Sequence, residues 1–277
     1  MSTTANRTPE GAPGARTLPY RRAGTGEPLV LVHGYLGGSR QWQAEIEALR
    51  EQFDLIAVDL AGYGQARHLQ APTEMAAHAR DVLATMSALG VERFDLLGHS
   101  MGGMVVQEIV RLAPLRVRRL VLYATGPQGS IPGRFESMAR SRERLAADGL
   151  AATARRICAT WLLQGEQSPA YEALAAIALE ADLDAALAGL WAMEGWDGRD
   201  HLAAIAQPTL VIWGEHDRTY AWPQTDALWR RIPAASLAVL PACAHALHLE
   251  RPALFHALLR EFLDPPGASR RSPVEPA

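Results

Sequence analysis

Cysteine, net charge and long apolar runs are all scarce in this chain of 277 residues. Two cysteines, Cys158 and Cys243, cannot build a disulfide framework and cannot alone hold a zinc ion. A formal net charge of −3 leaves no electrostatic footprint for a polyanion, which argues against a nucleic-acid partner. No stretch of 18 or more apolar residues runs without a charge or a turn residue, so no membrane-spanning helix is expected. Met1–Arg16 is rich in Thr, Ala, Pro and Gly and lacks the apolar centre of a secretory signal. What is present is a 48% hydrophobic composition, enough to fill the core of one large domain or of a domain with an insertion. The expectation is a globular protein of the cytoplasm with no membrane partner, and with self-association into a homo-oligomer left open.

Short apolar runs alternate with helical patterns. Leu29–Val32, Phe53–Val58, Phe94–Leu97, Leu120–Tyr123, Thr209–Trp213 and Ser236–Leu240 read as buried strands. Their near-continuous apolar character suggests a parallel sheet covered on both faces. Between them Trp42, Ile46 and Leu49 fall on one helical face, as do Val82, Leu83, Met86 and Leu89. Met101–Ala113 follows a strand directly and stops at Pro114. Pro252 opens a last helix with Leu254, Phe255, Leu258, Leu259 and Phe262 as its apolar stripe. From residue 126 to 206 there is no strand pattern, only helical stretches near 134–148, 150–164, 170–180 and 182–194. The expected architecture is α/β, a doubly wound, mostly parallel sheet formed by residues 17–125 and 207–263. Residues 126–206 are expected to form an inserted helical cap over the strand ends, and 1–16 and 264–277 to be disordered tails.

The sharpest local signal is Gly98-His99-Ser100-Met101-Gly102-Gly103, a G-x-S-x-G turn between a strand and a helix. Its glycines suit a cramped turn that lifts the Ser100 hydroxyl to the positive end of a helix. A serine hydroxyl needs a base, and the base needs an orienting acid. His245, in the loop after the last strand, is the best-placed base; His248 and His99 are its rivals. Asp217, in Gly214-Glu215-His216-Asp217, is the preferred acid and Glu215 the competing one. Acyl transfer also needs donors for an oxyanion. The backbone N–H of Met101 and that of Tyr35, in His33-Gly34-Tyr35-Leu36-Gly37-Gly38, occupy suitable strand ends.

Together with Asp59-Leu60-Ala61-Gly62-Tyr63-Gly64 and the run from His245 through Glu250 to Pro252, these motifs resemble the α/β-hydrolase superfamily over about Leu18 to Leu263. The resemblance implies Ser100 as nucleophile, Asp217 as acid, His245 as base, Tyr35 and Met101 as oxyanion donors, and Asp59 with its glycines as a structural loop. It implies no metal and no cofactor. Two departures stand out. The chain upstream of Leu18 is expected to be too short for the full leading hairpin, so that its first strand is missing, and Ala244 replaces the glycine usual before the histidine.

Serine at the elbow disfavours the relatives that use aspartate there. The resemblance implies a serine hydrolase that cleaves a carboxylic ester or lactone of a small, largely apolar molecule through an acyl-enzyme. The alternatives are a carbon–carbon bond hydrolase of dienoate-type ring-fission products and a hydrolase-like ligand-binding protein with little turnover. Substrate choice is expected in residues 126–206, where Phe135, Trp161, Tyr171, Trp191 and Trp196 either line a pocket or glue helices together. Arg134, Arg140, Arg142, Arg144, Arg155 and Arg156 either pair a substrate carboxylate or join Glu136, Glu143 and Asp148 in a salt-bridged face. Cys158 and Cys243 read as small buried hydrophobes.

Overall fold

The computed structural model describes residues 14–131 and 136–264. Seven strands form one sheet: β1 (Tyr20–Ala23), β2 (Glu27–Val32), β3 (Phe53–Val58), β4 (Phe94–His99), β5 (Val117–Tyr123), β6 (Thr209–Gly214) and β7 (Ala235–Leu240). Their spatial order is β1-β3-β2-β4-β5-β6-β7. Only β1 is antiparallel, running against β3; every other pairing is parallel.

β1 is the strand that the sequence pattern missed. Tyr20-Arg21-Arg22-Ala23 has no apolar run because it lies at a sheet edge, half exposed, with Arg22 paired to Asp54 of β3. The other six strands are where the apolar runs put them; β3 keeps the same bounds and the other five are longer by one to three residues. β3 and β4 are buried along their whole length, since helices cover both faces.

Alternate side chains of the strands feed two separate apolar layers. On one face Val30, Val32, Ile56, Val58, Leu96 and Leu122 pack with α2 (Met75–Ala88) and α3 (Met101–Leu112). On the other, Leu29, Leu31, Leu55, Leu97 and Val121 pack with Trp42, with Ile46 and Leu49 of α1 (Gln43–Leu49), and with Phe255 and Leu259 of the C-terminal helix Pro252–Leu263. Leu254, expected in that helix's apolar stripe, is instead exposed; it lies on the face away from the sheet, whereas Phe255, His256 and Leu263 are buried.

Between β5 and β6 the described chain is helical: α4 (Met138–Thr160), α5 (Tyr171–Ala178) and α6 (Leu183–Glu194). Gly149, at φ 76° and ψ 171°, breaks α4 into two helical lengths. The segment leaves and rejoins the sheet side by side, because Gly129 N–H donates to the Trp196 carbonyl (3.0 Å) and Gly198 N–H to the Pro127 carbonyl (2.9 Å). Its buried Leu145, Cys158, Leu174, Leu190 and Met193 belong to the same apolar layer as α2 and α3. After β6 come α7 (Trp222–Arg231), the single turn α8 (Leu247–Glu250) and α9 (Pro252–Leu263).

The chain has no lysine, so its permanent side-chain cations are all arginine. Arg140, Arg142, Arg144, Arg155 and Arg156 pair with Glu143, Glu194, Glu136, Glu172 and Asp148 respectively. The salt-bridged face is therefore the arrangement these five adopt. Arg134 and Phe135 lie outside the described residues, as do most of the two expected tails. Arg16, assigned to the N-terminal tail, is held: its backbone N–H and guanidinium both donate to the buried Asp81 carboxylate.

Leu96 is fully buried at the centre of the sheet. Leu96→Ala is expected to cost about 2–5 kcal/mol of stability, read as a lowered urea midpoint. A loss below about 1 kcal/mol would show that the β4–α3 layer relaxes into the space, contrary to the packing described.

Candidate active site

The order of strands reverses at β2 and β4: the chain steps from β2 to β3 on one side and from β4 to β5, β6 and β7 on the other. A crevice opens at the carboxyl ends of strands at such a point, and four loops meet there.

The first is the elbow. β4 ends at His99, α3 begins at Met101, and Ser100 between them sits at φ 54° and ψ −118°, a conformation that L residues rarely adopt. Tight approach forces it. A Cβ on Gly98 would strike the Gly102 carbonyl, and one on Gly102 would strike the carbonyls of Val32 and His33. The strained serine is pinned through its backbone: Ser100 N–H donates to the Tyr123 carbonyl (3.0 Å), and its carbonyl accepts from Thr125 Oγ1 (2.7 Å) and Gly103 N–H (2.9 Å).

The second loop, after β2, presses on the elbow; a Cβ on Gly34 would lie 3.0 Å from Ser100 Cβ. His33 stiffens it by donating from Nδ1 to the Gly34 carbonyl (2.8 Å) and accepting the Leu60 N–H at Nε2 (2.9 Å). Burial holds His33 below the usual imidazole range, which suits that neutral tautomer. Asp59 completes the joint, taking the Ser39 N–H (2.6 Å) on Oδ1 and the Ser39 hydroxyl (3.0 Å) on Oδ2.

Asp217 and His245 come from the loops after β6 and β7. Asp217 Oδ1 accepts the N–H groups of Thr219 (2.7 Å) and Tyr220 (3.2 Å), which leaves Oδ2 for His245 Nδ1–H at 3.0 Å. Both side chains are fully buried. The bond fixes the tautomer, so Nε2 carries the lone pair, and Nε2 is buried with no hydrogen-bond partner among the described residues. The rings of Trp161 (5.7 Å between centroids), Tyr220 (5.8 Å) and His99 (4.8 Å) surround the imidazole.

The rival residues are engaged elsewhere. Glu215 is exposed and accepts the Ala242 N–H (3.1 Å). His248 Nδ1 bonds the Tyr123 hydroxyl (2.7 Å), its ring packs on Trp42 and Phe255, and burial pushes its pKa down to about 4. His99 is stacked on Tyr123, and burial, reinforced by the neighbouring His245 and His248, keeps it well below the usual range. Its Nδ1 faces Gln41 Nε2 (3.4 Å) and its Nε2 faces the His245 carbonyl (3.3 Å). Burial raises the Cys158 and Cys243 thiols to about 12, so neither supplies a thiolate near neutrality. Among the described residues no group of three His, Cys, Asp or Glu side chains is arranged to hold a metal ion.

Of the aromatic candidates, Trp161 alone has a described ring contact with His245. Trp196 donates from Nε1 to Glu108 of α3 (3.0 Å), tying the helical segment to the core. Trp191 is 51% exposed, with the Arg142 guanidinium 3.5 Å above its ring, because α6 turns that side chain outward. Three neighbours of the site were not legible as such, Gln41, Tyr123 and Tyr220; Glu250 stood in the run from His245 to Pro252, but its contacts were not legible. Tyr123 is the last residue of β5 and Tyr220 lies in the loop after β6, so the strand-end rule could have found both; Gln41 carries no such signal.

A chain with this sheet, this switch point and these loops is an α/β hydrolase. Residues 27–252 match the family model described as the alpha/beta hydrolase fold, and the chain belongs to that family. A relative from Agrobacterium fabrum that carries the name carbamate hydrolase RutD is 29% identical over 245 residues, which is 86% of this chain and 94% of that protein. Among solved structures, a thermophilic esterase from Thermogutta terrifontis is 29% identical with a TM-score of 0.81, covering 89% of this chain and 92% of its own. An N-acyl homoserine lactone degrading enzyme is 25% identical with a TM-score of 0.74, covering 88% and 93%. Hydrolase activity is the property these relatives have in common with the family. No helix among the described residues is long and apolar enough to cross a membrane.

Two expectations follow from the strain and the buried imidazoles. Ser100→Gly should raise the unfolding free energy by about 1 kcal/mol, read as a higher urea midpoint, because glycine tolerates positive φ; an unchanged or lower midpoint would mean that the elbow is not strained. His78, fully buried, is pushed down to about 3 by burial, and His248 to about 4. Such groups are neutral in the native state and bind protons on unfolding. Their contribution is therefore complete above about pH 6.5 and is lost as pH falls from there toward 4. Unfolding midpoints at pH 7.5 and pH 5 should differ accordingly, and His78→Met should shrink the difference. Equal midpoints in the parent protein would contradict this.

Proposed function

We propose that the protein is a serine hydrolase that cleaves a carboxylic ester or lactone through an acyl-enzyme on Ser100. One observation carries the reading: a buried imidazole whose Nδ1–H is held by a buried carboxylate and whose Nε2 has no partner among the described residues, at the strand ends where a strained serine stands. That is a base aimed and waiting for a proton.

In the proposed sequence the Ser100 Oγ–H proton passes to His245 Nε2 as Oγ bonds to the carbonyl carbon. The carbonyl electron pair moves onto oxygen, and the backbone N–H groups of Tyr35 and Met101 receive the oxyanion. Collapse breaks the bond to the leaving oxygen, which takes the proton from His245. Water then repeats the steps against the acyl group and returns Ser100 to its hydroxyl form. Asp217 stays anionic throughout and steadies the imidazolium, its Oδ1 held by the Thr219 and Tyr220 N–H groups.

We read residues 126–206 as a cap over this site, with Trp161 and Tyr220 supplying apolar walls beside the base. The five paired arginines speak for an uncharged acyl substrate over a dienoate, whose carboxylate would need a cation of its own. The name of the Agrobacterium relative makes carbamates a sensible member of any substrate panel, since they present the same kind of acyl carbon.

The test is a panel of short-chain and medium-chain aryl esters, lactones, carbamates and a ring-fission dienoate. Turnover of an ester or lactone is expected, with Ser100→Ala slower by about a thousandfold or more and Asp217→Asn by about ten-thousandfold. Near-parent activity in Ser100→Ala would overturn the assignment. Stoichiometric phosphonylation of Ser100 without turnover of any panel member would favour a ligand-binding protein.

A further inference from the structure

The loop that carries His245 is tied down on both sides, and the two sides belong to different parts of the molecule. On the core side the His245 carbonyl accepts the Tyr123 hydroxyl proton (3.1 Å) and faces His99 Nε2 (3.3 Å). On the other side the peptide N–H groups flanking His245 reach the turn that ends α4. Ala246 N–H donates to the Trp161 carbonyl (3.0 Å). Ala244 N–H donates to Glu250 Oε2 (2.7 Å), and Glu250 Oε1 accepts the Leu163 N–H (2.7 Å). One carboxylate thus spans the gap between the turn and the histidine loop by two short charge-assisted bonds. The Trp161 ring, from the same turn, lies against the imidazole.

Resting on the proposed hydrolase reading, we propose that Glu250 is a positioning residue: it clamps the Trp161–Leu163 turn to the His245 loop, so that the helical cover and the base are held as one body. The Glu250 carboxylate bonds the backbone N–H groups of Ala244 and Leu163, and through them it acts on the loop of His245. Cutting the clamp leaves Asp217 and Ser100 in place and frees the imidazole to drift relative to the serine. A displacement of the order of an ångström at a reacting group costs up to about a hundredfold in rate. Glutamine at this position keeps the size of the side chain but offers one carbonyl oxygen where two acceptors are needed, and turns an N–H₂ toward the remaining donor.

Glu250→Gln and Leu163→Pro cut the same link from opposite ends, the second by removing the peptide donor without touching the carboxylate. Both are measured with an aryl ester, together with thermal unfolding and the rate of Ser100 phosphonylation by an organophosphonate. The expected result is a fall in kcat of about tenfold or more with KM within about twofold, and a parallel fall in phosphonylation. The double variant should be no slower than the slower single one, because the link can be lost only once. Parent kcat in folded Glu250→Gln would overturn the proposal, as would losses that multiply in the double variant. Should Leu163→Pro fail to fold, Glu250→Gln with Glu250→Ala decides the matter by the same split between kcat and KM. Ser100→Ala is run beside them: its activity tests the hydrolase reading, and the Glu250 variants test the clamp, so either can fail without the other.

Discussion

Where β2, β4 and α3 cross, there is no room for a side chain. Gly98 and Gly102 let the first turn of the helix lie against the carbonyls of Val32 and His33, and that contact forces Ser100 out of ordinary backbone space. The remaining features of the site follow from this crowding. The serine is strained because the helix starts too close to the strand, and it stays strained because Tyr123, Thr125 and Gly103 hold its peptide groups. Two apolar layers on opposite faces of the sheet supply the stability against which that local cost is set.

Much of the fold could be read from the sequence because a parallel sheet buried on both faces leaves uninterrupted apolar runs. β3 matched its run from Phe53 to Val58 without adjustment. β1 escaped because an edge strand of Tyr, two Arg and Ala needs no such run; its identity comes from pairing with β3. In the site, local signals pointed to Ser100, to the loop after β2 and to the Asp217–His245 pair, since each sits just beyond a strand. The supporting contacts are another matter. The Tyr123 hydroxyl reaches a carbonyl 122 positions away, and Glu250 a peptide N–H 87 positions away. Such contacts exist only once the sheet is assembled, and no periodicity announces them.

Aromatic residues between β5 and β6 show the same limit. Composition made Trp161, Trp191 and Trp196 equivalent, yet one lies on the base, one carries a guanidinium at the surface and one is hydrogen-bonded to a buried carboxylate of α3. The difference is helical phase and the identity of the facing element. The arginines of the same region were easier to interpret, because the carboxylates spaced among them in the sequence already offered partners.

The absence of lysine has a practical side. Activated esters, the usual reporters for an acyl-transfer enzyme, also acylate lysine amines, and that background blurs the count of reactive sites. Here no side-chain amine exists, and guanidiniums stay protonated and unreactive across the working range of pH. A burst measured with such a reagent is therefore free of lysine acylation, and its amplitude bears directly on the number of working hydroxyls.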